Sequence, residues 1–97
     1  MIGFVNLQGG QKGFVRAPDG TITLFDGYPH SINAAGTITG EYGYPTIQGF
    51  VRSADGTMTL FDVDGSTARP KSINDNGVIT GEYIDGSVTY KGFIRFP

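Results

Sequence analysis

Cysteine is absent from this chain, which removes disulfides, thiolate zinc sites and cysteine nucleophiles together. Histidine is almost absent. His30 stands alone, so one chain offers neither a histidine-based metal site nor a Ser–His pair. Charged residues make up only 16% of the sequence, the net charge is −2, and Lys and Arg form no run. The electrostatic footprint of a nucleic-acid binder or an anionic-membrane binder is therefore missing. No apolar stretch approaches the ~20 residues needed to span a bilayer, so membrane insertion is not expected. Met1-Ile2-Gly3-Phe4-Val5 lacks the basic and long apolar regions of a signal peptide, which leaves a cytoplasmic setting or a leader supplied separately. Gly9-Gly10 follows no strand-to-helix pattern, so a phosphate loop has no support. No acid stands in an apolar run that would raise its pKa, so paired carboxylates for hydrolysis have no visible basis. An enzyme is not expected, and neither is a cofactor or a metal.

Glycine is abundant, with 16 residues among 97, and the rest of the chain favours Thr, Tyr and Phe. A helical protein would use Ala, Leu, Glu and Lys. Hydrophobic residues reach 38% and aromatics 12%, enough for a packed core. The composition points to β-structure with many tight turns.

Internal repetition is the main signal. Gly13 to Asp26 reads GFVRAPDGTITLFD and Gly49 to Asp62 reads GFVRSADGTMTLFD, identical at eleven of fourteen positions. Ser31 to Tyr42 reads SINAAGTITGEY and Ser72 to Tyr83 reads SINDNGVITGEY, identical at nine of twelve. The offsets are 36 and 41 residues, because the gap between the LFD and SIN blocks is five residues longer in the second copy. A third GF-x-R occurs at Gly92-Phe93-Ile94-Arg95, and Ile2-Gly3-Phe4-Val5 mimics the spacing of ITGEY to GF. The chain divides into a partial unit 1–12, unit one 13–48, unit two 49–91 and a partial unit 92–97.

Each unit reads as four short strands. GFVR is closed by Asp19-Gly20 or Asp55-Gly56, where glycine accepts a positive φ without a Cβ clash. TITLF or TMTLF alternates with period two, placing Ile22 and Leu24 on one face and Thr21, Thr23 and Phe25 on the other. A short SIN strand and a TITGEY or VITGEY strand follow, joined by Ala34-Ala35-Gly36 or Asp75-Asn76-Gly77. No window shows a capped 3.6 period, so helix is not expected. Four antiparallel strands every 40 or so residues form the pattern of a β-propeller blade. Phe14/Phe50/Phe93, Ile22/Met58, Leu24/Leu60, Ile32/Ile73 and Ile38/Ile79 are expected between blades, each burial worth roughly 1.5–3 kcal/mol. About two and a half units cannot close a ring alone. Head-to-tail association, a homotrimer as first choice, would complete it, with residues 2–6 and 92–96 finishing strands across chain junctions. A ten-stranded monomeric barrel or sandwich is the alternative.

The assembled pattern, GF-x-R, DG-T-x-T-x-F-D, S-I-N-x-x-G-x-I-x-G-x-Y and a return to GF, resembles the HAF-type probable extracellular repeats of bacterial secreted proteins. Gly13-Phe14, Asp19-Gly20, Asp26, Ile32-Asn33, Gly36, Ile38, Gly40 and Tyr42 match in the first copy. Gly49-Phe50, Asp55-Gly56, Asp62, Ile73-Asn74, Gly77, Ile79, Gly81, Tyr83 and Gly92-Phe93 match after it. The resemblance implies a propeller-like fold and an extracellular setting, and it assigns no chemistry.

Candidate binding residues follow from the repeat. Arg16, Arg52 and Arg95 share one position, and Glu41 and Glu82 another on the preceding strand. They form either Arg–Glu pairs that grip sugar hydroxyls or repeated cross-strand ion pairs, and repeats copy structural pairs readily. Tyr28, His30 and Tyr44 lie in or beside variable loops, where exposed rings could stack on carbohydrate or pack on a neighbouring sheet. Asp62-Val63-Asp64-Gly65-Ser66 has part of a calcium-loop pattern, lacks the third acid and distant Glu, and reads as a turn. Asn33 and Asn74 are expected to bond the backbone of the turns that follow them. The leading expectation is a non-enzymatic binding or interaction module with carbohydrate as ligand. A structural self-assembling scaffold without ligand is the alternative.

Overall fold

The structure is a computed structural model that describes residues 2–7, 10–43, 47–63, 66–84 and 90–97. Within them the chain is all-β and antiparallel, without helix. The strands are β1 (Ile2–Leu7), β2 (Gly10–Arg16), β3 (Ile22–Phe25), β4 (Tyr28–Ile32) and β5 (Ile38–Tyr42). They continue as β6 (Gln48–Arg52), β7 (Met58–Phe61), β8 (Ala68–Ile73), β9 (Ile79–Ile84) and β10 (Tyr90–Arg95). They form three sheets, β1-β2-β3, β4-β5-β6-β7 and β8-β9-β10, here called the first, middle and last. Consecutive sheets pack on one another, β4 against β1 and β2, and β8 against β4, β5 and β6.

The repeat is exact in geometry. Gly3 faces Phe14, Gly40 faces Phe50 and Gly81 faces Phe93 across the same strand pair. Four Gly-containing turns share one hydrogen-bond pattern. In Ala17–Thr21 the Ala17 N–H donates to Thr21 O at 2.9 Å and Gly20 N–H donates to Ala17 O at 2.9 Å. Ser53–Thr57, Asn33–Thr37 and Asn74–Val78 repeat this with distances of 2.9–3.1 Å. Gly20, Gly36, Gly56 and Gly77 adopt φ of 93°, 85°, 96° and 82° at the same turn position. This is the three-residue hairpin loop ending in a left-handed glycine. The Asp-Gly signal thus marks a hairpin with a bulge instead of a two-residue turn.

The sheets are out of phase with the sequence units. Unit 13–48 supplies β2 and β3 to the first sheet and β4 and β5 to the middle sheet. The reason lies in the connections. The stretch after Tyr42 is a hairpin loop within one sheet, whereas Asp26-Gly27 is the crossover, with Gly27 at φ 135°. The end sheets are therefore three-stranded: the first lacks the inner strand that β4 and β8 provide, and the last lacks the outer strand that β3 and β7 provide. The terminal segments already pair within the chain on one side. Ile2–Leu7 pairs with β2 and Tyr90–Arg95 pairs with β9.

The core lies between sheets. Phe50, Ile38, Ile79 and Ala68 are fully buried and Ile73 nearly so. The expected Ile22, Leu24 and Leu60 layer is displaced: these side chains are 59%, 48% and 41% exposed. Ile22 and Leu24 point back from the first sheet, where no further sheet covers them, while Leu60 stays open although its face is turned toward the first sheet. The outer strands instead use the opposite face. Phe25 and Phe50 meet edge-to-face at 6.0 Å, and Phe61 and Phe93 at 6.1 Å. Each such pair contributes about 0.5–1.5 kcal/mol beyond its buried area.

Candidate functional site

Tyr28, Pro29 and His30 lie within β4 rather than in a loop. Pro29 is buried, and it is tolerated because β4 is an edge strand with a register shift between Pro29 and Ser31. Pairing sets Tyr28 opposite Glu41. The Glu41 carboxylate lies 3.4 Å from His30 Nε2 and 3.8 Å from Arg69 Nε on the last sheet. Arg69 Nε is shut off from solvent and lacks a hydrogen-bond partner. Beside this cluster Tyr28, Glu41, Gly43 and Ile47 line a cleft of about 300 Å³. Sequence reasoning missed Arg69. It occupies the repeat position of Tyr28, three residues before Ser72 as Tyr28 is before Ser31, with Pro70 in the place of Pro29.

That correspondence exposes a rule. The residue at the Tyr28 position of one sheet meets the residue at the Glu41 position of the sheet before. Glu41 meets Arg69, and Phe4, which stands where Glu41 does, meets Tyr28 edge-on at 5.8 Å. An ion pair at one junction is replaced by an aromatic pair at the other.

The expected Arg–Glu pairs are not formed. Register places Glu41 opposite Gly49 and Arg52 opposite Ile38, three residues apart along the strand. Glu82 faces Gly92 and Arg95 faces Ile79 in the same way. Arg52 instead lies over the Phe25 ring at 5.0 Å, and Arg95 over Phe61 at 4.8 Å, each reaching back to the preceding sheet. Such contacts are worth about 0.5–1 kcal/mol at exposed sites. Arg16 and Arg52 share a second cleft, of about 430 Å³, with Ile32, Asn33, Ala34 and Thr23. Tyr44 lies outside the described residues. So do Asp64 and Gly65, between Val63 and Ser66, which exchange backbone hydrogen bonds of 3.2 and 2.8 Å. Lys12 and Asp26 form an exposed ion pair. Among the described residues, no three acidic or histidine side chains group as metal ligands.

The turns tie the sheets together. Asn33 Oδ1 accepts from Ala35 and Thr37 N–H at 3.1 and 2.9 Å, and Asn74 Oδ1 accepts from Asn76 and Val78 N–H at 2.9 and 3.0 Å. Asn33 also donates through Nδ2 to Asn74 O at 3.0 Å, Ala34 N–H donates to Asp75 at 2.8 Å, and Ile73 N–H donates to Ser31 Oγ at 3.2 Å. Asp19 and Asp55 brace the other turns. The Thr21 N–H holds the Asp19 carboxyl below its ordinary value, and the Thr57 N–H with the Ser53 hydroxyl does the same for Asp55. Neither a protein-family model nor a curated protein nor a solved structure matches this chain, so the likeness to HAF-type repeats rests on its repeated residues.

Proposed function

We propose that this chain is a non-enzymatic, propeller-type interaction module whose principal partner is a further copy of its own repeat. One observation carries the reading: an inter-sheet contact is made twice inside the chain and stands half-made at each end. Thr39 is fully buried beneath the last sheet, while Thr80, at the same repeat position on the last sheet, is exposed. Phe50 is fully buried against the first sheet, while Phe14 at the same position is only half-buried, and Ile22 is open where its counterpart Met58 is half-buried. The two end faces are the two halves of one repeated contact. Joining them head to tail buries both, and the series closes if the rotation per sheet divides a circle. With three sheets per chain, a six-sheet ring takes two chains rather than the three expected from two and a half units. Sedimentation of the purified chain tests this. A dimer or larger ring at micromolar concentration supports it, and a folded single copy at that concentration defeats it.

A second reading is favoured by the Tyr28 cluster. A half-open aromatic ring beside a carboxylate in an open cleft suits a sugar, whose face stacks and whose hydroxyls donate. Saturable binding on a glycan array that is lost in both Tyr28→Ala and Glu41→Gln supports it, and binding indifferent to both substitutions removes it.

A further inference from the structure

Two glycines of the GF-x-R strand serve as seats for a phenylalanine ring. Gly13 pairs with Phe25 and Gly49 with Phe61. A Cβ on Gly13 would stand 3.0 Å from the Phe25 ring, and one on Gly49 would stand 2.7 Å from the Phe61 ring. The outer-strand aromatic lies flat on its partner strand because the facing residue has no side chain. Gly92 is the third glycine of this series, in β10, and the ring is missing. A Cβ there would meet nothing closer than Gly81 O at 3.8 Å, and Gly92 itself is exposed. β10 is an edge strand, with Tyr90 and Ile94 59% and 63% exposed. Its counterparts β2 and β6 each carry an outer strand of sequence DGT-x-TLFD.

We propose that the open edge of β10 is a strand-addition site for an extended segment of the DGT-x-TLFD type, supplied by another repeat of this sequence. Register follows from β6 and β7, where Gly49, Phe50, Val51 and Arg52 face Phe61, Leu60, Thr59 and Met58. The guest phenylalanine seats on Gly92, its leucine faces Phe93, and its threonine faces Ile94. Main-chain hydrogen bonds supply affinity, and the vacant glycine seat supplies selectivity. The seated ring would then offer its edge to Phe14 of a following copy, as Phe25 does to Phe50 and Phe61 to Phe93. The site builds on the self-association reading but occupies an edge, not a face. It also explains why Phe93 is less buried than Phe50: no outer strand flanks it.

The test uses a fluorescent peptide with the sequence of residues 55–62, titrated by anisotropy at a protein concentration where the chain sediments as one copy. Saturable binding is expected below about 1 mM. It should weaken at least ten-fold on Gly92→Val, on replacing the peptide's phenylalanine by alanine, and on N-methylating its backbone. Gly92→Val adds a strand-favouring residue in open space, so its thermal midpoint should equal or exceed that of the parent, which separates loss of binding from loss of fold. No saturable binding to the parent chain, or equal binding to Gly92→Val or of a scrambled peptide, overturns the proposal. Because the titration is read on the single copy, it can succeed where self-stacking fails, and the reverse.

Discussion

Phe14 and Phe50 occupy one repeat position in two environments, and substituting each by alanine measures what a neighbouring sheet is worth. Phe50 is fully buried, lies over its own sheet and meets the Phe25 ring. Removing it leaves a cavity at the junction, at a cost of about 3–5 kcal/mol. A domain of this length holds only about 5–15 kcal/mol in total, so Phe50→Ala should lose roughly a fifth or more of its stability. Phe14 rests on Gly3 of its own sheet, but no sheet precedes it. Its loss forfeits own-sheet contacts alone, about 1–2 kcal/mol. Urea unfolding followed by circular dichroism, at a concentration where the chain sediments as one copy, should shift the midpoint about 1–2.5 M further for Phe50→Ala than for Phe14→Ala. Phe50→Leu against Phe14→Leu preserves the comparison if the alanine variant is unfolded without urea. At higher concentration the Phe14 variant should associate more weakly than the parent, and the Phe50 variant should keep its end face. Equal losses for the two alanines in the single-copy species would refute the stacked-sheet account.

Three other outcomes follow from paired positions. Thr39 Oγ1 is buried and donates to Phe50 O at 2.8 Å, so Thr39→Val should cost about 0.5–1.5 kcal/mol in thermal or urea unfolding, while Thr80→Val on the open face should be near neutral. Asn33→Ala loses both the turn bonds and the inter-sheet bond to Asn74 O, about 1–3 kcal/mol, and should exceed Asn74→Ala by the value of one hydrogen bond, read by urea unfolding. The Asp19 and Asp55 carboxyls have folded pKa values depressed below 3.8, so their stabilisation is present above that value and is lost as the pH falls through the folded pKa. Asp55→Asn should flatten the fall of the thermal midpoint below pH 4, and an acid limb unchanged in Asp55→Asn would rule out this source.

What the sequence disclosed and what it hid separate along one line, the difference between contacts within a strand pair and contacts between sheets. Period-two alternation, the Asp-Gly and Asn-x-x-Gly turns and the matching copies are local, and the strands, turns and turn-bonding roles of Asn33 and Asn74 follow from them. Two registers were also within reach. Counting outward from the Ala17–Thr21 turn pairs Gly13 with Phe25, and a glycine facing an aromatic announces a ring laid on backbone. The same counting across the loop after Tyr42 shows that Glu41 cannot face Arg52. Which of two connections stays within a sheet was not legible, because a hairpin loop and a crossover use the same Gly-rich residues. Nor was the covered face of the outer strand. Ile22 and Leu24 are more apolar than Thr21 and Thr23, yet the face bearing the threonines is the one that finds a partner, because Phe25 stands there. Hydrophobicity ranks faces only when one face meets water. In stacked sheets both faces meet sheets, and the choice is made by which neighbour exists. That is why exposed Ile22 and Ile94, whose counterparts Met58 and Val51 are half-buried, are themselves the argument for a partner: an apolar face that a neighbouring sheet would cover calls for a sheet of the same kind.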